Sequence, residues 1–266
     1  MHVVAIASLA TPPGVTDAIA AEAKALANDL GTTAYEERLK LVAGLPAIVL
    51  TAADPARARG LLESIRARGH EAFCVDAAEV VGSAEMVLVR RFAFEPDALV
   101  LVDSGERLPF GDLRAILRAM HSKHTESRTE VTTKKFDVGR AVLSGGLVVR
   151  KKVTEEKKAF SSESEQVLYL FRASGEAPWL VRERGTNYTG LGAELEPSAA
   201  RNFLSLTARL RELAPAAGYS ERLLAPGSAN KHMRLSGGGT NSVSVSSADG
   251  VDLLAHILAL SMSGAR

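Results

Sequence analysis

The sequence predicts an α+β protein, and three observations carry that prediction. Over the first 80 residues, short apolar runs bounded by turn residues alternate with stretches of helical periodicity. From about Met86 to Arg184 strand-like runs dominate. A long amphipathic helix then begins near Pro197, and a last apolar helix follows Asp249.

The first strand is Val3–Leu9, a continuous apolar run of the kind a buried strand shows. Val15, Ile19, Ala23, Leu26 and Leu30 then recur at helical spacing, and Gly31 ends that helix. Thr33-Ala-Tyr-Glu36 fits a capping box, in which each of Thr33 and Glu36 satisfies a free N–H of the helix start. The short helix that follows carries Tyr35, Leu39 and Val42 on one face, and Gly44-Leu45-Pro46 breaks it. Ala47–Thr51 is a second strand. Asp54 is an N-cap with Pro55 at the first helical position, and Ala58, Leu61, Leu62 and Ile65 form the inward face of that helix. Gly69 closes it and Glu71–Val75 is a third strand. The order β-α-α-β-α-β suits a small sheet with helices on one face, a ferredoxin-like domain over residues 1–82. From Tyr35 to Val75 the order of elements also resembles the C-terminal domain of the bacterial ribosomal stalk protein, a likeness without functional weight.

The second domain is expected over residues 83–214. Met86–Phe94 and Ala98–Val102 flank the turn signal Glu95-Pro96-Asp97. Leu113, Ile116, Leu117 and Met120 predict a helix after Pro109. Strands are expected at Arg128–Phe136, Leu147–Thr154, Gln166–Phe171 and Trp179–Arg184, with turns at Ser144-Gly145-Gly146 and Ser174-Gly175. The helix from Pro197 to Pro215 places Phe203, Leu206, Leu210 and Leu213 along one side. An antiparallel sheet closed by a C-terminal helix resembles bacterial pleckstrin-homology or GRAM-like domains over about residues 86–214. The resemblance lies in element order, and the helix after only two strands departs from it.

Residues 215–248 are poor in large apolar side chains and rich in Gly, Ser and Asn, which reads as a flexible segment. Residues 249–266 form the last helix, with Leu253, Leu254, Ile257, Leu258 and Met262 apolar. Such a tethered helix docks either on its own core or on a partner.

Composition bounds the function. Thirty-two basic and 31 acidic residues leave a net charge of +1, which argues against bulk-charge attachment to nucleic acid or membrane. The lone Cys74 sits in an apolar run and excludes an intramolecular disulfide. No run approaches the ~18 apolar residues of a membrane span, and no signal peptide is evident, so the expected location is the cytoplasm. Ala- and Arg-rich usage points to a GC-rich bacterial source.

The segment His121–Lys158 stands out, with ten Lys or Arg against five Asp or Glu. Its charges cluster at Lys134-Lys135, Arg140, Arg150-Lys151-Lys152 and Lys157-Lys158, around the nearly uncharged stretch Ala141–Val149. A basic hairpin of this kind binds phosphates of lipid or nucleic acid. The plainer reading is an edge strand guarded by lysines against unwanted pairing. Scarce aromatics weaken a single-strand nucleic-acid reading. Along a strand, Arg182, Arg184 and Thr186 share one face, either a ligand-facing row or plain solvent face.

Other motifs read as structure. His121 and His124 have no Cys near, where a metal site usually needs three or four ligands, and read as surface histidines at a helix end. Ser228-Ala-Asn-Lys231 matches S-x-x-K only formally, without S-D-N or K-T-G partners. Gly190-Leu-Gly192 and Gly237–Gly239 form no complete phosphate-cradling pattern and read as turn or linker glycines. Asp103, Glu106 and Asp112 make no acid–base pair; Asp112 reads as a helix-start cap. Trp179 reads as core.

The sequence therefore predicts a binding or adaptor protein rather than an enzyme, with neither cofactor nor metal, engaging a protein partner or an anionic lipid surface. The expected contact residues are Lys134, Lys135, Arg140, Arg150, Lys151, Lys152, Arg182 and Arg184. The alternatives are nucleic-acid binding through residues 121–158, and an enzyme whose site is built from scattered loops.

Overall fold

The structure is a computed structural model and describes residues 1–11, 17–136, 150–224, 234–238 and 242–262, with side chains described outside 124–162 and 234–246. It is mixed α+β, with three sheets. The chain divides into two compact units, one of residues 1–121, 164–233 and 247–266, the other of residues 122–163 and 234–246.

In the first unit, β1 (His2–Ser8) is the middle strand of a three-stranded antiparallel sheet. Its neighbours are β2 (Ala47–Ala52) and β3 (Glu71–Asp76). Three helices, α1 (Ala18–Leu30), α2 (Ala34–Val42) and α3 (Pro55–Ala67), connect these strands. Their ends follow the expected chemistry. Gly31 takes a left-handed φ of 68°, which closes α1 without a Cβ penalty. Thr33 and Glu36 complete the capping box of α2, and Asp54 accepts the Ala56 N–H ahead of Pro55.

β1 is buried on both faces because consecutive side chains point to opposite sides. Val4 and Ile6 pack with Leu26, Leu41 and Ile65 of the three helices. Ala5 and Ala7 point the other way, toward a second core that includes Ile48, Phe73 and Val75.

Helix α2 turns its apolar face outward. Tyr35, Leu39 and Val42 are exposed, and the helix instead buries Glu37 and Leu41. Glu37 is tolerated inside because the Lys40 ammonium donates to both its oxygens and the Thr32 hydroxyl to one.

The larger sheet of the first unit includes β4 (Val87–Val89), β8 (Leu113–Phe136), β9 (Arg150–Arg172), β10 (Trp179–Arg182) and β11 (Gly218–Leu223). Its order is β11-β8-β9-β10-β4. β10 runs antiparallel to β9, with Trp179 opposite Leu170, and parallel to β4. β11 runs parallel to β8. A small antiparallel sheet, β5 (Phe92–Phe94), β6 (Ala98–Leu101) and β7 (Arg107–Pro109), is built around the expected turn at Glu95-Pro96-Asp97. It shares one core with α4 (Ala199–Leu213), through Leu99, Leu108, Trp179, Phe203, Leu206 and Leu210.

The helix expected after Pro109 is absent. A single 3-10 turn, Phe110–Asp112, leads straight into β8. Leu113, Ala115, Ile116, Leu117 and Ala119 are all buried, because both faces of this strand are covered, and that erases the alternation that marks a strand in sequence. The segment expected to be flexible, 215–248, contains β11, β12 (Arg234–Gly238) and β13 (Ser242–Ser246).

The last helix, α5 (Ala248–Ser261), docks on its own chain. Val251, Leu254, Ile257 and Leu258 are buried in one core with Ala5 and Ala7 of β1, Ala115 and Leu117 of β8, and Tyr169 of β9. The helix thus lies between the two sheets. In the second unit, β12 pairs with β13, and β13 pairs antiparallel with β8, Ser242 opposite Ser127. Among the described residues, no helix is long and apolar enough to cross a membrane.

Candidate functional site

The basic segment forms most of the second unit. Lys134 and Lys135 lie in β8, and Arg150, Lys151 and Lys152 open β9. Arg140 lies outside the described residues, as does Ser228-Ala-Asn-Lys231. β8 and β9 run for 24 and 23 residues, against a usual strand of about 5–6. At ~3.3 Å per residue, the part of β8 beyond His121 is about 50 Å of strand.

Arg182 and Arg184 belong to the first unit, and the row expected with Thr186 does not form. β10 ends at Arg182, and Gly185 donates back to the Arg182 carbonyl, which turns the chain. Thr186 is buried and donates its hydroxyl to the Val89 carbonyl. One carboxylate gathers both arginines: Glu165 accepts the Arg182 guanidinium at 2.9 Å and the Arg184 backbone N–H at 2.9 Å.

Sequence reasoning missed a buried polar chain in the first unit. Asp252 on α5 is 1% exposed and accepts three hydrogen bonds. The Ser83 backbone N–H donates at 2.7 Å, the Ser83 hydroxyl at 2.6 Å and the Tyr169 hydroxyl at 2.6 Å. His121 Nε2 lies 2.6 Å from the same Tyr169 oxygen, so the ring donates to it. His121 is therefore a half-buried strand residue, where a surface position at a helix end was expected. Burial pushes the Tyr169 phenol well above its ordinary range and the His121 imidazole below its own. Both are held neutral around a carboxylate whose donors come from a loop and a strand. Serine, histidine, tyrosine and aspartate at positions 83, 121, 169 and 252 form no local motif. The only trace in the sequence is an acid beside Leu253 and Leu254 in a largely apolar helix.

A second buried carboxylate anchors α1 to the turn before β3. Glu22 takes two bonds from Arg68, at 2.7 and 2.6 Å, and one from His70 at 2.8 Å. His70 Nδ1 accepts the Ala10 N–H, which fixes the proton on Nε2. A cleft of about 270 Å³ lies here, lined by Ala18, Ala21, Ala25 and this triad. A shallower cleft of about 470 Å³ lies at the end of α4, where Arg211 stacks 4.0 Å over the Tyr219 ring. In the first, Glu22, Arg68 and His70 are engaged with one another, which gives positional anchoring.

The remaining expectations resolve as structure. Asp112 accepts from Arg172 and Ser174 rather than capping a helix. Trp179 is fully buried, its indole N–H donating to Glu106. Gly190 sits against Phe92 so closely that a Cβ would lie 2.2 Å from the Phe92 carbonyl oxygen. Among the described residues, no group of three or more His, Cys, Asp or Glu could hold a metal ion.

No family model matches the chain, and neither a curated protein nor a solved structure matches it.

Proposed function

We propose that this chain is a non-enzymatic binding or adaptor protein, cytoplasmic, whose contact element is the second unit and whose partner is an anionic lipid surface. One observation carries the reading: β8 and β9 continue far beyond the strand length a core needs. Residues 122–136 and 150–163 of that extension carry nine Lys or Arg against five Asp or Glu. A Lys or Arg held near an anionic membrane surface is attracted to it by about 1 kcal/mol, so a segment of this composition suits such a surface. The likeness to pleckstrin-homology or GRAM-like domains is a proposal of the same kind. β8 as a strand removes the helix that departed from that layout, while the parallel β10–β4 and β11–β8 pairs depart from a purely antiparallel sheet. The ferredoxin-like reading of residues 1–82 rests on the three-stranded sheet with α1, α2 and α3 on one face.

The test is co-sedimentation with vesicles of phosphatidylcholine, with and without about 30% phosphatidylserine. Binding to the anionic vesicles alone, weakening as salt rises and lost when Lys134, Lys135, Arg150, Lys151 and Lys152 become Gln, is the expected result. Duplex DNA and RNA are measured in parallel. Tighter, steeply salt-dependent binding to either moves the function to nucleic acid, and binding to none of the three overturns the proposal.

A further inference from the structure

Helix α2 is turned against its own amphipathicity. Tyr35, Leu39 and Val42 lie at i, i+4 and i+7 on one face and are 71%, 48% and 60% exposed. On the opposite side Glu37 is wholly buried, held by Lys40 at 2.8 and 2.9 Å and by Thr32 at 2.9 Å. A buried carboxylate is costly even when paired, and an apolar face is the one a helix ordinarily turns inward. Rotating α2 by about half a turn about its axis would exchange the two. The fold therefore keeps a three-residue apolar strip at the surface and seats an ion pair beneath it.

The charges beside the strip indicate what covers it. Arg38 is 56% exposed, and its guanidinium lies 3.7 Å from the Asp17 carboxylate, itself 51% exposed. One flank of the strip thus carries a cation and an anion side by side. A two-fold axis presents a surface to its own copy, so each residue meets its opposite number or that residue's neighbour. In an antiparallel pair of α2 helices, the flank bearing Arg38 faces the same flank of the other copy. A flank of one sign would repel itself there. This flank can set each Arg38 against the other copy's Asp17.

We propose that α2 is a homodimer contact, in which the Tyr35–Leu39–Val42 strip of one chain packs on the same strip of a second copy, flanked by reciprocal Arg38–Asp17 pairs. This inference does not depend on the function of the second unit. The strip is three side chains on a nine-residue helix, so a contact centred on it is small. Such a pair falls below the ~1,200 Å² total of stable complexes, so the dissociation constant is expected between ~10 μM and ~1 mM.

Sedimentation equilibrium of the full chain, over about 10 μM to 1 mM, tests it directly. The average mass should climb toward twice the monomer with concentration. Val42→Glu and Tyr35→Glu should each weaken association at least tenfold; both side chains are exposed, so circular dichroism and the thermal midpoint should stay unchanged. Arg38→Asp should weaken it severalfold at low salt, and mixing that variant with Asp17→Lys should restore association above that of either alone. A monomeric mass at every concentration overturns the proposal. So does a dimer insensitive to Val42→Glu, or one insensitive to Arg38→Asp.

Discussion

Asp252→Ala removes the acceptor at the centre of the buried polar chain, and the structure sets the size of the effect. Three donors are lost to one carboxylate, at 2.7, 2.6 and 2.6 Å. Hydrogen bonds to a charged group contribute about 1.5–3 kcal/mol each, so the gross loss is roughly 5–9 kcal/mol. Removing the carboxylate also returns its desolvation penalty, several kcal/mol. Tyr169 recovers part of the rest, because the other His121 tautomer can accept its proton. The net cost should be about 3 kcal/mol. Urea unfolding followed by the fluorescence of the single tryptophan, Trp179, reads this as a lower midpoint at constant slope. Asp252→Asn keeps an oxygen for the Ser83 N–H and should cost about half as much. Tyr169→Phe alone should cost about 1–2 kcal/mol, and combined with Asp252→Ala should show a coupling above ~0.5 kcal/mol. An Asp252→Ala protein within ~0.5 kcal/mol of the parent would refute the account, since it would mean the three bonds only offset the cost of burying the charge.

Three further outcomes follow from particular contacts. Gly190→Ala places a Cβ 2.2 Å from the Phe92 carbonyl oxygen and 2.8 Å from the Phe92 ring, and a clash with backbone should cost about 2–4 kcal/mol in the same unfolding assay. Lys40→Ala leaves the Glu37 carboxylate buried without its cation and should cost about 3 kcal/mol; adding Glu37→Gln should recover most of that. Burial lowers the His121 and His256 imidazoles from the ordinary 6.5, so below that pH the unfolded chain takes up protons that the folded chain resists. Stability should therefore be full above pH ~6.5 and fall on acidification through the lowered folded values. Replacing both residues by Gln should flatten the midpoint between pH ~7.5 and ~5.

What the sequence made legible is local chemistry, and what it hid depends on neighbours from afar. The caps at Thr33, Asp54 and Gly31 were readable because each acts within four residues of its own chain. β8 was misread because Leu113, Ile116, Leu117 and Met120 match helical spacing. In fact Leu113 and Ile116 serve one core, and Ala115, Leu117 and Ala119 serve the other. A strand covered on both faces has no period to detect. The orientation of α2 is not in its own sequence, because only the folded chain shows that Lys40 also reaches the Val49 carbonyl, fixing Glu37 inward. The Ser83–Asp252 bonds join residues 169 apart in sequence, beyond any spacing rule. The basic segment was visible as composition, and its placement as the second unit needed the strand lengths.

The place of α5 ties these points together. β1 reads His2-Val-Val-Ala-Ile-Ala-Ser8, apolar at every inner position, which in a strand means both faces are covered. A layout with helices on one face of the sheet covers only Val4 and Ile6. Ala5, Ala7, Ile48, Phe73 and Val75 need another layer, and the last helix of the chain supplies it. Small residues at positions 5 and 7 let that helix approach closely, and Asp252 fixes it to the loop at Ser83 and to Tyr169. The helix is reached only after the chain has passed through β12 and β13 of the second unit. The N-terminal sheet therefore owes the cover of its second face to the far end of the sequence.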